Sequence, residues 1–220
     1  MRKRKVDKSV YQLVSAVNFR LVRAMPATGS TPEIVSPKRA HLMATAWRLF
    51  YRDGYRAVGI DTLLAEAGVA KMTLYHHFAA KEDLIIAVLE KRDREIQAGL
   101  QAAVEAAGRS PARRLLAVFD WLDGWFATDD FKGCAFIRAL SEYPERDHPI
   151  HQAAWRHKQA VIGMLTGLAD AAGARAPAAL GETISLLIDG AIVAAHATGS
   201  TAPCGAARAA AASLLKLATA

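Results

Sequence analysis

Residues 67–84, with the sequence AGVAKMTLYHHFAAKEDL, concentrate side chains that form hydrogen bonds or carry charge. Gly68 separates two apolar segments, and a lysine, a threonine, a tyrosine and two adjacent histidines follow within the next nine residues. Side chains of these types bond to phosphate oxygens and to the edges of bases in nucleic acids. The stretch is therefore a candidate for contact with a polyanion, provided that the surrounding elements present it to solvent.

Two short helices joined at Gly68 are the elements that position these side chains. Apolar residues at three- and four-residue steps predict a two-turn helix over 60–67, with Gly59 as its N-cap. Glycine adopts the left-handed conformation that lets a chain turn sharply from one helix into the next. The second helix is predicted over Ala70–Phe78, and its other side is polar. Its buried side is predicted to consist of Met72, Leu74, Tyr75 and Phe78.

The rest of the chain from Pro37 onward also predicts helices. One helix of about four turns begins at Pro37 and ends before Gly54, and a long helix from Lys81 to about Ala107 links two halves of the chain. Beyond Gly108 the predicted helices are Pro111–Ala127, Cys134–Tyr143, Pro149–Gly173, Pro177–Gly199 and Pro203 to the end. The sequence contains no alternating strand pattern and no βαβ unit. We therefore predict an all-α fold, in which a three-helix helix-turn-helix domain precedes a helical bundle.

Composition excludes several classes of protein. With 220 residues and 52% hydrophobic content, the chain is long enough to bury a sizeable core. Two cysteines give no disulfide framework and favour a reducing compartment; Cys134 is expected to be a small buried hydrophobe rather than a redox sensor. No uninterrupted apolar run reaches the ~18 residues of a membrane span. We expect a cytoplasmic protein that has no membrane partner.

The positive charge of the chain lies in its first part. Lys and Arg number 28 against 21 Asp and Glu, which gives a net charge of +7. Residues 1–94 contain 17 basic and 9 acidic residues, whereas residues 95–220 contain 11 and 12. A polyanion partner is therefore expected to contact the first 94 residues.

Residues 1–36 are predicted to form a flexible basic extension, because the segment PATGSTPEIVSP is rich in proline, glycine, serine and threonine. One interpretation is that Arg2, Lys3, Arg4 and Lys5 contact phosphates. The alternatives are a disordered end or a true start at Met25, and we favour an extension without a function.

The helix predicted over Ala70–Phe78 has the size that the major groove of DNA accepts. Eight or nine residues rising ~1.5 Å each form a rod roughly 12 Å long, close to the ~12 Å width of that groove. Lys71 matches the acceptors of guanine, and Thr73 matches a thymine methyl group or a base edge. Hydrogen bonds to phosphate oxygens are assigned to Tyr75, His76 and His77.

The segment LLAEAGVAKMTLYHHFAAKEDL resembles the signature of the tetracycline-repressor (TetR) family of regulators, and the resemblance covers about Pro37 to Leu89. It implies that the helix after Gly68 reads the major groove, and that Tyr75, His76 and Lys81 grip phosphates. It also implies a small-molecule effector pocket in the second half of the chain, and a dimer through the last two helices. In that family small residues are frequent at the position of Met72. The longer side chain of Met72 either restricts the approach of the helix backbone to a base or adds contact with a methyl group.

On this basis residues 37–84 are expected to bind DNA, and residues 85–220 to bind an effector and to dimerise. The candidate DNA-binding residues are Lys38, Arg39, Thr62, Ala70, Lys71, Met72, Thr73, Tyr75, His76, His77 and Lys81. The candidate effector-binding residues are Trp121, Trp125, Phe136, Arg138 and Trp155. The candidate dimer-interface residues are Ile184, Leu187, Ile188, Ala191, Ile192 and Ala195.

Each of these assignments has a structural alternative. Tyr75 and His77 also suit local packing, the aromatic residues also suit an ordinary core, and the dimer stripe also suits the core of a single protomer. A metal site among the histidines of residues 147–157 is disfavoured because no second cluster of ligands accompanies them. No metal and no cofactor are expected.

The expected function is a ligand-responsive repressor that binds a pseudo-palindromic operator as a homodimer. An enzyme is not expected, since the sequence lacks GxSxG, HExxH and a Gly-rich phosphate loop. The alternative is a helical ligand-binding or interaction protein that does not bind DNA.

Overall fold

Nine α-helices, without a strand, make up residues 36–220, the part of the chain that the computed structural model describes. They are α1 (Pro37–Asp53), α2 (Ile60–Ala67), α3 (Lys71–His77), α4 (Lys81–Ala106), α5 (Pro111–Phe126), α6 (Ala135–Glu142), α7 (Pro149–Ala171), α8 (Pro177–Thr198) and α9 (Ala202–Thr219). The all-α prediction is confirmed, and each helix begins and ends within two residues of its predicted position. The predicted basic extension, with Arg2–Lys5 and Met25, lies outside the described residues except for Ser36.

Proline and N-cap side chains explain where several helices begin. Proline occupies the first turn of α1, α5, α7, α8 and α9, where its missing N–H has no helical partner to lose. The Ser36 hydroxyl accepts a hydrogen bond from the Arg39 N–H at 3.4 Å, and Ser110 accepts one from Arg113 at 3.5 Å. These caps satisfy backbone donors that the first turn of a helix leaves unpaired.

Helices α1–α3, residues 36–80, form a unit that we call the head. Helix α1 packs against α2, α3 and α4. On the surface, Arg48 of α1 forms an ion pair with Glu66 of α2 at 2.6 Å. The nearly fully buried core of the head comprises Leu42, Ala46, Leu49, Phe50, Tyr55, Leu63 and Leu74. This core fixes the position of α3.

Helices α5–α9, residues 111–219, form a unit that we call the bundle. Helices α7 and α8 pack along each other, and α9 lies against α8 and α5. At Gly181 of α8 a Cβ atom would lie 2.8 Å from the backbone nitrogen of Thr166 in α7. The two backbones therefore approach so closely that only glycine fits at this point.

Helix α4 joins the head to the bundle, since it packs against α1 on one side and against α5 and α7 on the other. Its buried stripe contains the five residues expected from the sequence, Leu84, Ile85, Val88, Leu89 and Ile96. The domain boundary predicted at 84/85 falls in the first turn of this continuous helix and stays a prediction.

Among the described residues, α8 is the one helix that is long and apolar enough to cross a membrane by length and composition. Its aspartate Asp189 forms an ion pair with the buried Lys158 of α7, and one side of α8 packs against α7 and α9. Helix α8 is therefore partly buried in the bundle, and its other side, which we call the open side, faces solvent.

Candidate nucleic-acid interface

The turn before α3 depends on Gly68. Its φ of 61° and ψ of 34° lie in the left-handed region, and the Val69 N–H donates to the Leu64 carbonyl at 3.2 Å. Nothing lies within 4 Å of the position that a Cβ atom would occupy. The requirement for glycine is therefore conformational rather than steric, as predicted from the sequence.

Two apolar side chains anchor α3 to the head. Leu74 is fully buried, and the ring of Phe78 just after the helix is 4% exposed. Four residues of α3 are exposed to solvent, namely Lys71, Met72, Tyr75 and His76. Thr73 and His77 are half-buried, and Ala70 is the exposed N-cap. The side of α3 that carries the hydrogen-bonding groups thus points away from the protein's own interior.

The prediction that Met72 is buried is wrong. Its side chain is 78% exposed, and that of Tyr75, also expected on the buried side, is 39% exposed. At about 100° per residue, Met72 lies ~160° away from Leu74 around the helix axis. A helix of seven residues packs against the head along one narrow strip of its surface, and Leu74 and Phe78 supply that contact.

Neighbouring rings hold the exposed side chains of α3 near one another. The Lys71 ammonium lies 6.0 Å from the centre of the Tyr75 ring, within range of a cation–π contact. The rings of His76 and His77 meet edge to face at 5.0 Å. Lys71, Tyr75 and His76 thus present donors and aromatic edges on the exposed arc of α3, and the half-buried His77 supports the ring of His76.

The candidates on α1 and α2 flank α3. Lys38 and Thr62 are exposed. Arg39 is half-buried, with its guanidinium 5.0 Å from the centre of the Phe78 ring. Arg39 therefore packs on the anchor of α3, and Lys38 and Thr62 are the more accessible of the three.

Lys81 begins α4 and is half-buried. Its ammonium donates a hydrogen bond to the Arg56 carbonyl at 3.4 Å, and burial lowers the pKa of the Lys81 ammonium. A contact with phosphate requires this ammonium to leave the carbonyl, so the assignment of Lys81 stays a prediction.

The charge of the head is modest. The head, residues 36–80, contains six basic and three acidic residues, and residues 36–94 contain ten and seven, so much of the excess found in residues 1–94 belongs to residues 1–35. No acidic residue occurs from Ala67 to Lys81. The lack of carboxylates on α3 and its flanking turns, rather than a strong net charge, makes this surface suitable for a polyanion.

The end of α1 is fastened to the bundle by four side chains that we call the α6 clamp: Tyr51, Tyr55, Arg138 and Glu142. The Glu142 carboxylate accepts hydrogen bonds from the backbone N–H of Tyr55 at 3.1 Å and of Arg56 at 2.7 Å. The Arg138 guanidinium donates to the carbonyls of Phe50 at 3.3 Å and Tyr51 at 3.0 Å.

The tyrosines of the α6 clamp complete the connection. The Tyr55 hydroxyl donates to the Ala135 carbonyl at 3.1 Å, and burial raises the pKa of Tyr55. The Tyr51 hydroxyl donates to the Gly133 carbonyl and accepts from the Lys132 N–H, each at 2.9 Å. Polar residues within an apolar segment are the one hint of this clamp in the sequence, because its bonds join residues 80 or more positions apart.

The candidate effector residues occupy different surroundings. Trp121 and Trp125 are half-buried with ring centres 5.8 Å apart, and the fully buried Phe136 stacks on His157 at 3.6 Å. Trp155 is 47% exposed on α7, and Arg138 belongs to the α6 clamp. An effector role for these five residues stays a prediction.

A polar pair, the buried His157 and the half-buried Asp93, connects α7 with α4. His157 Nδ1 lies 2.5 Å from Asp93 Oδ1, and burial lowers the pKa of His157 although Asp93 partly offsets this effect. His148 and His151 bond to backbone groups. The described residues contain no group of three or more side chains suited to hold a metal ion.

The stripe predicted to form a dimer interface lies inside the protomer. Five of its six residues are buried and Leu187 is half-buried. The stripe therefore fills the protomer's own core, which was the alternative that the sequence left open. The large apolar side chains that the last two helices expose are instead Leu186 at 73%, Val193 at 55% and Leu217 at 68%.

The two cysteines are separated. Cys204 is buried, its thiol donates to the Phe119 carbonyl at 3.1 Å, and burial raises its pKa to about 11. Cys134 is half-buried at the N-cap of α6, less enclosed than expected.

Comparison with known proteins places the matched region around α1–α4. The family described as "Bacterial regulatory proteins, tetR family" matches residues 42–88. A TetR-family transcriptional regulator from Streptomyces coelicolor has a solved structure with a TM-score of 0.79 and 33% identity, covering 83% of this chain and 96% of that one.

Two curated relatives align over shorter segments. The HTH-type transcriptional activator FasR of Mycolicibacterium smegmatis is 32% identical over 100 residues, which are 46% of this chain and 45% of FasR. The HTH-type transcriptional repressor NemR of Escherichia coli is 26% identical over 129 residues, 58% of this chain and 65% of NemR. The chain thus spans between about half and two thirds of these relatives.

Proposed function

Since the chain belongs to the TetR family of bacterial regulatory proteins, we propose that it is a DNA-binding transcriptional regulator whose helix α3 enters the major groove. The observation that carries this proposal is the orientation of α3. Leu74 and Phe78 hold it to the head, while Lys71, Tyr75 and His76 point to solvent. The N-terminal residues of such a helix contact base edges, and the flanking groups contact phosphates.

Binding to duplex DNA from upstream of the chain's own coding sequence tests this proposal. We expect a gel shift that persists with an excess of heparin and is lost when Lys71 and Tyr75 are both replaced by alanine. The matched control is Lys216→Ala, which removes an exposed lysine of α9 far along the chain. No shift of duplex DNA at low salt would contradict the proposal.

We propose that the regulator acts as a homodimer through the open side of α8 and α9. Leu186 and Val193 are seven residues apart, so they lie on one side of α8, with the exposed Gly190 between them. A second copy would cover these apolar side chains together with Leu217 of α9. Two copies of α3 could then occupy successive major grooves ~34–36 Å apart.

The α6 clamp suggests how an effector would control DNA binding. An effector held by the bundle that displaces α6 would pull on the end of α1 through Glu142 and Arg138. If the bundle prefers different positions of α6 with and without effector, effector and DNA weaken each other by a coupling energy of about 1–3 kcal/mol. We assign the effector to the region of Trp121, Trp125 and Phe136.

Replacement of Glu142 by glutamine tests the clamp. Glutamine turns its amide NH₂ toward one of the two backbone N–H groups, so one hydrogen bond is lost. A loss of ~1.4 kcal/mol changes the equilibrium for opening of this contact about tenfold. Amide hydrogen exchange at Tyr55 and Arg56 should accelerate by about that factor, with weaker DNA binding. The matched control Glu145→Gln changes an exposed carboxylate and should have no effect. Unchanged exchange would remove the clamp from the mechanism.

We propose repression rather than activation, and a cytoplasmic, non-enzymatic protein. FasR is named an activator and NemR a repressor, so the direction of control needs its own test. A reporter driven by the upstream DNA should be expressed more strongly when the chain is absent. Reduced expression in its absence would identify an activator.

A further inference from the structure

Met72 is a large apolar side chain that the packing of α3 does not use. It is 78% exposed, more than Leu186 or any other exposed large hydrophobic side chain of the described residues. Leu74 and Phe78 already supply the contact of α3 with the head. The packing of the protomer therefore does not account for the size of this side chain, and its place on α3 decides what it contacts.

Met72 lies within the exposed arc of α3, not at its edge. At about 100° per residue, the order around the helix is Lys71, Tyr75, Met72 and His76. Polar or charged side chains thus stand on both sides of the methionine. Met72 is also the second residue of α3, in the part of such a helix that meets base edges.

The chemistry of the side chain selects one feature of the major groove. A thioether has no hydrogen-bond donor and is a weak acceptor, so it does not read the polar groups of a base edge. It is flexible and polarizable, and it packs well on apolar surface. Among the four bases, thymine is the one that presents a methyl group in the major groove.

We propose that Met72 contacts the 5-methyl group of a thymine in each half of the bound DNA site and thereby selects thymine at that position. This inference rests on the proposed function, since it assigns a specificity-determining residue to the same interface. Lys71 and His76 on either side place the methionine against the base edges, while the methionine itself contributes apolar contact.

The opposite role for Met72 is a steric one. A long side chain on the exposed arc also restricts the approach of the α3 backbone to the bases. In that case a smaller residue would strengthen binding to all sequences alike. If Met72 instead contacts thymine, a smaller residue should lower the affinity only for DNA that has thymine at one position. The two roles therefore predict different changes in affinity.

The experiment begins with selection from a random-sequence duplex pool by the full-length wild-type chain. Each thymine of the enriched site is then replaced by deoxyuridine, which lacks only the 5-methyl group. We expect one position per half-site at which this replacement lowers the affinity of the wild type about fourfold. Burial of one methyl-sized group contributes ~0.8 kcal/mol, which corresponds to that ratio of dissociation constants. Met72→Ala should bind the thymine and deoxyuridine duplexes equally, and Met72→Leu should keep the preference.

The outcomes separate this inference from the proposed function. Enrichment of a site at which no thymine methyl group matters, or full discrimination retained by Met72→Ala, overturns the role of Met72 and leaves DNA binding intact. Tighter binding of Met72→Ala to all duplexes overturns it in favour of steric restriction. Failure of the wild type to enrich any sequence contradicts DNA recognition itself. Thermal unfolding of the variants should match the wild type, because the side chain is exposed.

Discussion

Helices α3 and α8 each leave one side uncovered by the protomer, but the two sides differ in chemistry. The open side of α3 carries Lys71, Tyr75 and His76 around a single methionine, whereas the open side of α8 carries Leu186 and Val193. Water solvates the first surface well, and the second leaves apolar area exposed. One surface is therefore suited to a charged partner and the other to an apolar one.

This difference predicts different responses to conditions. Contacts with phosphates release counterions, so binding through α3 should weaken as salt rises. Burial of the apolar side of α8 depends little on salt and instead follows protein concentration. Variants that affect one surface and leave the other unchanged test whether the two are independent.

The largest effect is expected at the anchor of α3. Leu74→Ala removes a fully buried side chain, so the free energy of unfolding should fall by about 2–5 kcal/mol. Urea denaturation measures this change. Met72→Ala, two residues earlier and exposed, should shift the free energy of unfolding by no more than ~0.5 kcal/mol. Equal effects of the two variants would mean that α3 is seated differently on the head.

The second prediction concerns the open side of α8. Leu186→Glu combined with Val193→Glu should raise the dimer dissociation constant on the order of a hundredfold or more, because each buried side chain contributes ~1.5–3 kcal/mol. Sedimentation velocity at several concentrations measures it, and the fold of the protomer should persist.

Ile188→Ala is the matched control on the opposite side of α8. Ile188 is 5% exposed within the protomer, so its loss should reduce the stability of the protomer rather than the affinity between protomers. A stable monomer of the wild-type chain would remove the dimer proposal, and an unchanged dimer in the double glutamate variant would move the interface elsewhere.

The smallest effect is expected from pH. The pKa of His157 is lowered in the folded protein, so the unfolded chain binds this proton more readily and the free energy of unfolding falls as pH drops below ~6.5. The decline should continue to the lowered pKa of the folded state. His157→Asn should flatten the pH dependence of the free energy of unfolding, measured by urea denaturation, between pH 7 and the lowered pKa of folded His157. A profile identical to that of the wild type would exclude His157 as its source.

The sequence predicted the helices well because their limits have local causes. Proline in the first turn, Gly68 in the left-handed region and apolar residues at helical spacing all act within a few positions. The exposure of Lys71 and His76 followed in the same way, because these polar side chains have no reason to be buried.

Apolar residues were harder to assign, since a hydrophobic side chain does not specify which surface covers it. Met72 was expected to be buried and is exposed, while Ile184 and Ile188 were expected at an interface and fill the protomer's core. The α6 clamp was equally out of reach, because Glu142 and Tyr55 are distant in sequence and meet only through the packing of α6 against the end of α1.

The central claim is that the polar side of α3 binds duplex DNA, and the salt dependence of binding tests it most directly. Fluorescence anisotropy of a labelled duplex is titrated with the wild type and with Lys71→Ala at several salt concentrations. The account predicts that log K falls linearly with log salt concentration, and that Lys71→Ala lowers the affinity for the preferred duplex more than for an unrelated duplex, because Lys71 is assigned to a base edge. Binding that is independent of salt, or an affinity for the preferred duplex that Lys71→Ala leaves unchanged, would contradict it.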